Sequence, residues 1–190
     1  MPIAFVAVSL SFILHEYMHK TVAQKFGAIA AFKKWDNGIL ITLGSSLFGF
    51  LIGLPGATMI YTNRFTKEEE GYVSLAGPLT NFVVFIVVMA IGYFASIYFA
   101  LGKYLTDMIT TTMFISVWLA FFNMLPIYPL DGSKVLRWNK VVYAVTMAVI
   151  FMFLLVVLGP ANFASFVPSL IVILIIALFM SAAYRGIMRF

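Results

Sequence analysis

The sequence predicts an all-α, polytopic membrane protein with about five transmembrane helices and a membrane-associated β-hairpin or re-entrant segment. Three observations lead to this fold class: the composition, the lengths of the apolar runs, and one apolar run that is too rich in glycine for a helix. Of the 190 residues, 63% are hydrophobic and only 10% are charged, whereas soluble domains are about a quarter charged. We find no internal repeat or linker, so we expect a single domain over residues 1–190.

Five apolar runs are long enough to cross roughly 30 Å of hydrocarbon as helices. These runs are residues 2–27, 73–100, 106–125, 138–158 and 167–188. The first three lie in a core of residues 5–140 that carries the polar side chains discussed below. We interpret the last two as C-terminal helices of the same domain.

A sixth apolar run, Gly38–Thr62, is uncharged but is interrupted by glycine, serine and proline. These residues favour bends, strands or a re-entrant hairpin over a continuous helix. A hairpin at membrane depth would offer an unpaired strand edge, which can bind an extended peptide by strand addition. The alternative interpretation is an ordinary interfacial loop.

The distribution of basic residues supports the hairpin, because cytoplasmic loops of membrane proteins are enriched in lysine and arginine. If Gly38–Thr62 returns to the side from which it starts, eleven of the 12 basic residues share one side and only Lys103 lies opposite. This predicts an integral membrane protein with its N-terminus outside and the basic loops in the cytoplasm. The net charge of +5 therefore reflects topology in a lipid bilayer and does not indicate nucleic-acid binding.

The two histidines of the chain lie four residues apart in the first apolar run, within His15-Glu16-Tyr17-Met18-His19. On a helix, positions i and i+4 share a face, so both imidazoles can reach one metal ion with Glu16 beside it. A zinc hydrolase needs two such nitrogen ligands, one further ligand, and a carboxylate that takes a proton from water. Ionisable residues inside a membrane segment are usually functional. Cysteine is absent, which excludes a thiolate site and a disulfide framework.

The third ligand has to be an acidic residue, and the candidates are Asp36, Glu68, Glu69, Glu70, Asp107 and Asp131. The glutamate run is typical of a solvated loop, and Asp107 lies on the opposite side in the predicted topology. Asp36 lies among basic residues that mark the membrane interface. Asp131 follows two prolines that end the preceding helix, so irregular backbone can carry its carboxylate toward the histidines. We favour Asp131, while a simple Asp-Gly turn and Asp36 as ligand remain alternatives.

Three motifs, taken in order, resemble the site-2 protease family of intramembrane zinc metalloproteases. They are HEYMH at residues 15–19, AGPLTNF at residues 76–82 and NMLPIYPLDG at residues 123–132, so the resemblance covers about residues 5–140. It implies that His15, His19 and Asp131 bind one Zn²⁺ per chain and that Glu16 is the catalytic acid/base. It also implies strands between the first two helices. As contacts to the substrate backbone it implies Asn123 and Asn81.

The resemblance implies an intramembrane zinc metalloendopeptidase that cleaves transmembrane protein or peptide substrates within the bilayer, with its active site toward the cytoplasmic side. A protease of the Ste24 type would take a glutamate ligand from a later helix, but residues 138–190 contain no acidic side chain. The alternative class is a non-hydrolytic metal-binding or transport protein, although transporters are commonly built from repeated halves. Two features depart from many family members: we expect no helix before the motif helix and no inserted PDZ or CBS domain.

Overall fold

Most of the polypeptide is helical in the computed structural model, which describes residues 2–34, 56–61 and 65–187. The elements, in chain order, are α1 (Pro2–Lys25), β1 (Ile29–Lys34), β2 (Gly56–Tyr61), α2 (Lys67–Tyr98), α3 (Lys103–Asn123), α4 (Asp131–Trp138) and α5 (Lys140–Ile187). Asp36 and the first part of the predicted re-entrant run, residues 38–55, lie outside the described residues.

Helix α1 buries every fourth side chain along one face. The buried row consists of Ala7, Ser11, His15, His19 and Ala23. The helix contacts α2 and α3, and the hydroxyl of Ser11 is hydrogen-bonded to that of Ser116 on α3 at 2.8 Å. A Schellman motif ends the helix: Gly27 has φ of 77°, and the amide of Ala28 donates to the carbonyl oxygen of Ala23.

Strands β1 and β2 form an antiparallel pair in which Ile29 lies opposite Tyr61 and Lys34 opposite Gly56. The chain therefore returns to the place where α1 ends, as the hairpin interpretation requires. Strand β2 lies within the predicted run Gly38–Thr62, whereas β1 lies before it. Glycine content therefore identified only one of the two paired segments. A Cβ on Gly56 would lie 2.5 Å from the carbonyl oxygen of Lys33, so the close approach of the two strands requires glycine at that position.

Helix α2 begins at Lys67, earlier than the apolar run that starts at residue 73. Thr66 and Glu69 form a capping box, in which each side chain accepts a hydrogen bond from the other residue's backbone amide. The glutamates of the first turn also complement the positive end of the helix dipole. The acidic run predicted as a solvated loop is therefore the first turn of α2, because these polar residues stabilise a helix start.

The segment between α3 and α4, residues 124–130, is irregular, as its two prolines predict. Helix α4 then begins at Asp131. A side chain at Gly132 would collide with the backbone of Met124, so glycine allows the two ends of this turn to touch. The turn thereby fixes where the Asp131 carboxylate lies relative to α3.

The main apolar core lies between α2, α3, α4 and α5. Its buried side chains are Phe85, Val117, Ala120, Phe121, Met124, Leu125, Val135, Ile150 and Leu154. Many large apolar side chains on the outer helix faces remain exposed, among them Val87, Ile91 and Val156. Exposed apolar surface of this extent is typical of contact with lipid.

Within the described residues, three helices are long and apolar enough to cross a membrane: Lys67–Tyr98, Lys103–Asn123 and Lys140–Gly159. Helix α1 and the part of α5 after Gly159 correspond to the other two predicted spans. The break predicted between the last two spans is a single non-helical residue, Gly159, with φ of 66°. A glycine adopts this conformation without the steric penalty of a Cβ.

Candidate metal centre

His15 and His19 lie side by side on the buried row of α1, as their spacing predicts. Their Nε2 atoms are 3.0 Å apart, and the rings meet edge to face with centroids separated by 4.6 Å. The two residues are only 4% and 8% exposed. Two nitrogen donors therefore converge on one point inside the protein.

Asp131 reaches this point from the first turn of α4. Its Oδ2 lies 3.3 Å from Nε2 of His15 and 3.1 Å from Nε2 of His19, while its Oδ1 lies 4.0 Å from Nζ of Lys134. Burial alone would raise the pKa of the Asp131 carboxyl, but the charge of His19 and hydrogen bonds from both imidazoles hold that pKa well below its usual range. A lowered pKa favours the ionised form, in which a carboxylate binds a cation.

The three donor atoms form a nearly equilateral triangle with edges of 3.0, 3.1 and 3.3 Å. Tetrahedral zinc with nitrogen and oxygen ligands at about 2.0–2.1 Å implies ligand separations of about 3.3–3.4 Å. The observed edges are slightly shorter, so one such ion fits all three donors after small movements. Two imidazoles and one carboxylate are a donor set that zinc accepts in hydrolases, where the fourth position stays open.

Helix α2 packs against both imidazoles. Nδ1 of His19 is 2.7 Å from the carbonyl oxygen of Val73, and Nδ1 of His15 is 3.1 Å from Nδ2 of Asn81. A Cβ on Gly77 would lie 2.5 Å from Nε2 of His19 and 2.6 Å from Nε2 of His15. The close approach of α2 to the histidines therefore requires glycine at residue 77, and the Nδ1 contacts leave both Nε2 atoms directed at Asp131.

Glu16 lies beside the triangle and is held by strand β2. Its Oε2 accepts a hydrogen bond from the amide of Thr58 at 2.6 Å, and the Thr58 hydroxyl donates to the carbonyl oxygen of Glu16 at 3.0 Å. The ligand-type atoms of His15, Glu16 and His19 all lie within 4.8 Å of one another. Glu16 is thus a second carboxylate near the triangle, but Asp131 is the one within 3.3 Å of both nitrogens.

The remaining candidate residues make other contacts or lie outside the described residues. Asn123 donates from Nδ2 to a backbone carbonyl one turn earlier in α3, at 3.0 Å. Asp107 forms an ion pair with Lys103 at 3.0 Å near the start of α3. Asp36 lies in the part of the chain that the structure leaves undescribed.

Two residues that contact the site, Gly77 and Thr58, were not predicted from the sequence. Gly77 carries a signal, because a glycine inside a helical apolar run weakens the helix and usually has a packing reason. Thr58 carries none, since its contact with Glu16 depends on how β2 pairs with β1 and packs on α1.

Two buried imidazoles and a carboxylate, with a second carboxylate beside them, are the kind of donor set that metallohydrolases use. The chain matches the family model of Peptidase family M50 over residues 3–158. It therefore belongs to peptidase family M50, the site-2 protease family, and is a membrane metalloprotease.

Relatives of this chain carry names of the same class. The chain is 42% identical to MJ0611 of Methanocaldococcus jannaschii over 147 residues, which cover 75% of this chain and 73% of that protein. It is 30% identical to YwhC of Bacillus subtilis over 154 residues, which cover 72% of this chain and 68% of that protein. Both relatives are named putative zinc metalloproteases. Zinc metalloprotease MJ0392 of M. jannaschii is 28% identical over 135 residues, which cover 71% of this chain and 33% of that protein.

Proposed function

We propose that this chain is an intramembrane zinc metalloendopeptidase that cleaves transmembrane protein or peptide substrates within the bilayer. The observation that supports the proposal most is the buried triangle of His15, His19 and Asp131 with Glu16 beside it. In this proposal the triangle residues bind one zinc ion, and Glu16 is the general base and general acid. The names of the relatives support zinc as the metal.

Zinc held by these ligands supplies Lewis acidity, which makes a water molecule more acidic and polarises the carbonyl of the scissile peptide. Glu16 accepts the proton that the attacking water gives up. It then delivers this proton to the amide nitrogen as the C–N bond breaks, so that an amine and a carboxylic acid leave the site, and the acid loses its own proton to solvent. Because Glu16 is tethered to Thr58 rather than to the triangle, its carboxylate is available for this proton transfer.

Strand β2 is the proposed contact for the substrate backbone. In an antiparallel pair, successive amides point alternately toward the partner strand and toward the outer edge. The amide of Thr58 binds Glu16, so the outer edge of β2, formed by residues 56, 58 and 60, runs next to the catalytic carboxylate. A transmembrane helix has to unwind before its carbonyls are accessible, and an unwound segment can pair with such an edge. Asn123 is a further proposed contact to the substrate backbone.

We also propose that the N-terminus lies outside and that the active site lies toward the cytoplasm. The lysine and arginine distribution supports this orientation. The ion pair of Arg137 with Glu70, at 2.9 Å, joins α4 to the first turn of α2. Since α2 has 32 residues, its other end lies about 48 Å away, and Lys103 follows that end. The fold thus separates Lys103 from the basic residues near α4, as the proposed topology requires.

Alanine substitution of each triangle residue tests the proposed site. His15→Ala, His19→Ala and Asp131→Ala should each reduce bound zinc from about one ion per chain to a small fraction, because two remaining protein ligands hold zinc poorly. Cleavage of a transmembrane peptide in detergent should be lost in parallel. Asp107→Ala, which removes an exposed carboxylate paired with Lys103, is the control and should retain zinc and cleavage.

Two outcomes would contradict parts of this proposal. Full zinc and full cleavage in Asp131→Ala would show that another residue is the third ligand, with Asp36 the next candidate. Zinc binding by the parent chain without cleavage of any transmembrane peptide would favour a non-hydrolytic metal-binding or transport protein.

A further inference from the structure

Asn81 is completely buried, and only half of its amide is satisfied. The residue is 0% exposed, and its Nδ2 lies 3.1 Å from Nδ1 of His15. Its Oδ1 is buried without a hydrogen-bond partner among the described residues. A buried amide oxygen without a donor is unfavourable and requires an explanation.

The orientation of this amide depends on which nitrogen of the His15 ring carries the proton. An imidazole that offers the Nε2 lone pair to a cation carries its proton on Nδ1, which then donates a hydrogen bond. His19 fits this rule, because its Nδ1 lies 2.7 Å from the carbonyl oxygen of Val73, which only accepts. At His15 the corresponding neighbour is the Asn81 amide, whose oxygen and nitrogen exchange places in a half-turn. With Oδ1 turned toward His15, the oxygen accepts from Nδ1–H, and Nδ2 takes the position at which no partner is described.

We infer that Asn81 is a positioning residue for His15, with its amide oxygen accepting from Nδ1–H and so fixing the ring that presents Nε2 to the metal. The inference rests on the zinc site proposed above. It differs from the substrate contact implied by the resemblance, because Asn81 meets the nitrogen of His15 opposite the one that meets Asp131. Helix α2 then orients both ligands, through the Val73 carbonyl and, two turns later, through the Asn81 side chain.

Zinc affinity of the full chain, measured by competition with a chromogenic chelator, tests this assignment. Asn81→Leu keeps the approximate shape but removes the acceptor, and it should weaken zinc binding by about 10–100-fold. Asn81→Asp keeps an acceptor and should bind zinc as tightly as the parent or more tightly. Thr80→Val is the matched control, since it removes a hydroxyl that donates only to the carbonyl oxygen of Ala76, and it should leave the affinity unchanged. At saturating zinc, the KM of Asn81→Leu should equal that of the parent.

Nitrogen-15 NMR of labelled histidine gives a second readout, which is simple because the chain has only two histidines. In the zinc-loaded protein, Asn81→Asp should shift the Nδ1–H resonance of His15 and leave that of His19 in place. An unchanged His15 resonance would overturn the inference, and this measurement decides the matter even if Asn81→Leu does not fold.

Parental zinc affinity in Asn81→Leu together with a raised KM would also overturn it and make Asn81 a substrate contact. Failure of the parent itself to bind zinc would instead overturn the proposed function, so the two failures are distinguishable.

Discussion

At the scale of single residues, Gly77 allows helix α2 to pack directly against the imidazoles of His15 and His19, the proposed zinc ligands. We expect Gly77→Ala to displace the imidazoles, since the added Cβ would lie 2.5–2.6 Å from their atoms. A displacement of about 1 Å at reacting groups reduces turnover by roughly 100-fold. Zinc affinity and kcat for a transmembrane peptide, measured together, should therefore both fall.

The control for this substitution is Gly102→Ala, because a Cβ there would meet no atom within 4 Å in the described part of the chain. It should behave like the parent. Parental zinc affinity and turnover in Gly77→Ala would show that α2 does not approach the histidines as closely as the structure indicates.

Site residues whose contacts are set within one helix were easier to predict than those whose contacts depend on packing between elements. His15, Glu16 and His19 were identifiable because helical pitch alone places positions i and i+4 together. Asp131 could be predicted only from the proline-containing turn before it, and Asp36 remained an alternative ligand. The contacts of Gly77 and Thr58 depend on how α2 and β2 pack against α1, which no local pattern in the sequence specifies.

At the scale of elements, strand β2 connects the Glu16 carboxylate to the proposed substrate edge. Thr58→Pro removes one backbone donor on the outer edge of β2, the amide that binds Glu16. Cleavage should fall at least about tenfold, the loss that accompanies a misplaced acid/base. Zinc content and the midpoint of thermal unfolding should stay close to those of the parent, because none of the triangle residues is changed.

Thr58→Val separates the amide contact of this residue from its hydroxyl contact, since it keeps the amide and removes only the hydroxyl bond to the Glu16 carbonyl. We expect it to retain most of the cleavage activity. Equal cleavage by Thr58→Pro and the parent would show that β2 neither orients Glu16 nor holds the substrate.

The apolar runs predicted the helices well but not all of their ends. Helix α2 starts before its apolar run because Thr66 and Glu69 cap it, and hydropathy does not register capping. The resemblance implied strands between the first two helices, but the position of β1 was not predicted. Its sequence IAAFKK has no glycine and is extended through pairing with β2. Strand pairing over a long sequence separation is a tertiary property, so a local pattern cannot supply it.

At the scale of the whole molecule, the proposed orientation predicts which side chains face the cytoplasm. The chain contains no cysteine, so single cysteines can be labelled without background. Lys67→Cys and Lys140→Cys, at the starts of α2 and α5, should react with an impermeant maleimide only from the cytoplasmic face. Lys103→Cys should react only from outside. The reverse pattern would show that the membrane orientation is opposite to the one proposed.

The most direct test of the central claim measures zinc content and cleavage in Glu16→Gln protein beside the parent. The amide can still accept a hydrogen bond from Thr58 but cannot transfer a proton, so we expect about one zinc per chain and cleavage reduced by about 10²–10⁴-fold. Glu70→Gln, the same change at an ion pair with Arg137, should keep both zinc and cleavage. Substantial cleavage by Glu16→Gln, or loss of its zinc, would contradict a proton-transferring Glu16 beside a zinc site that His15, His19 and Asp131 form without it.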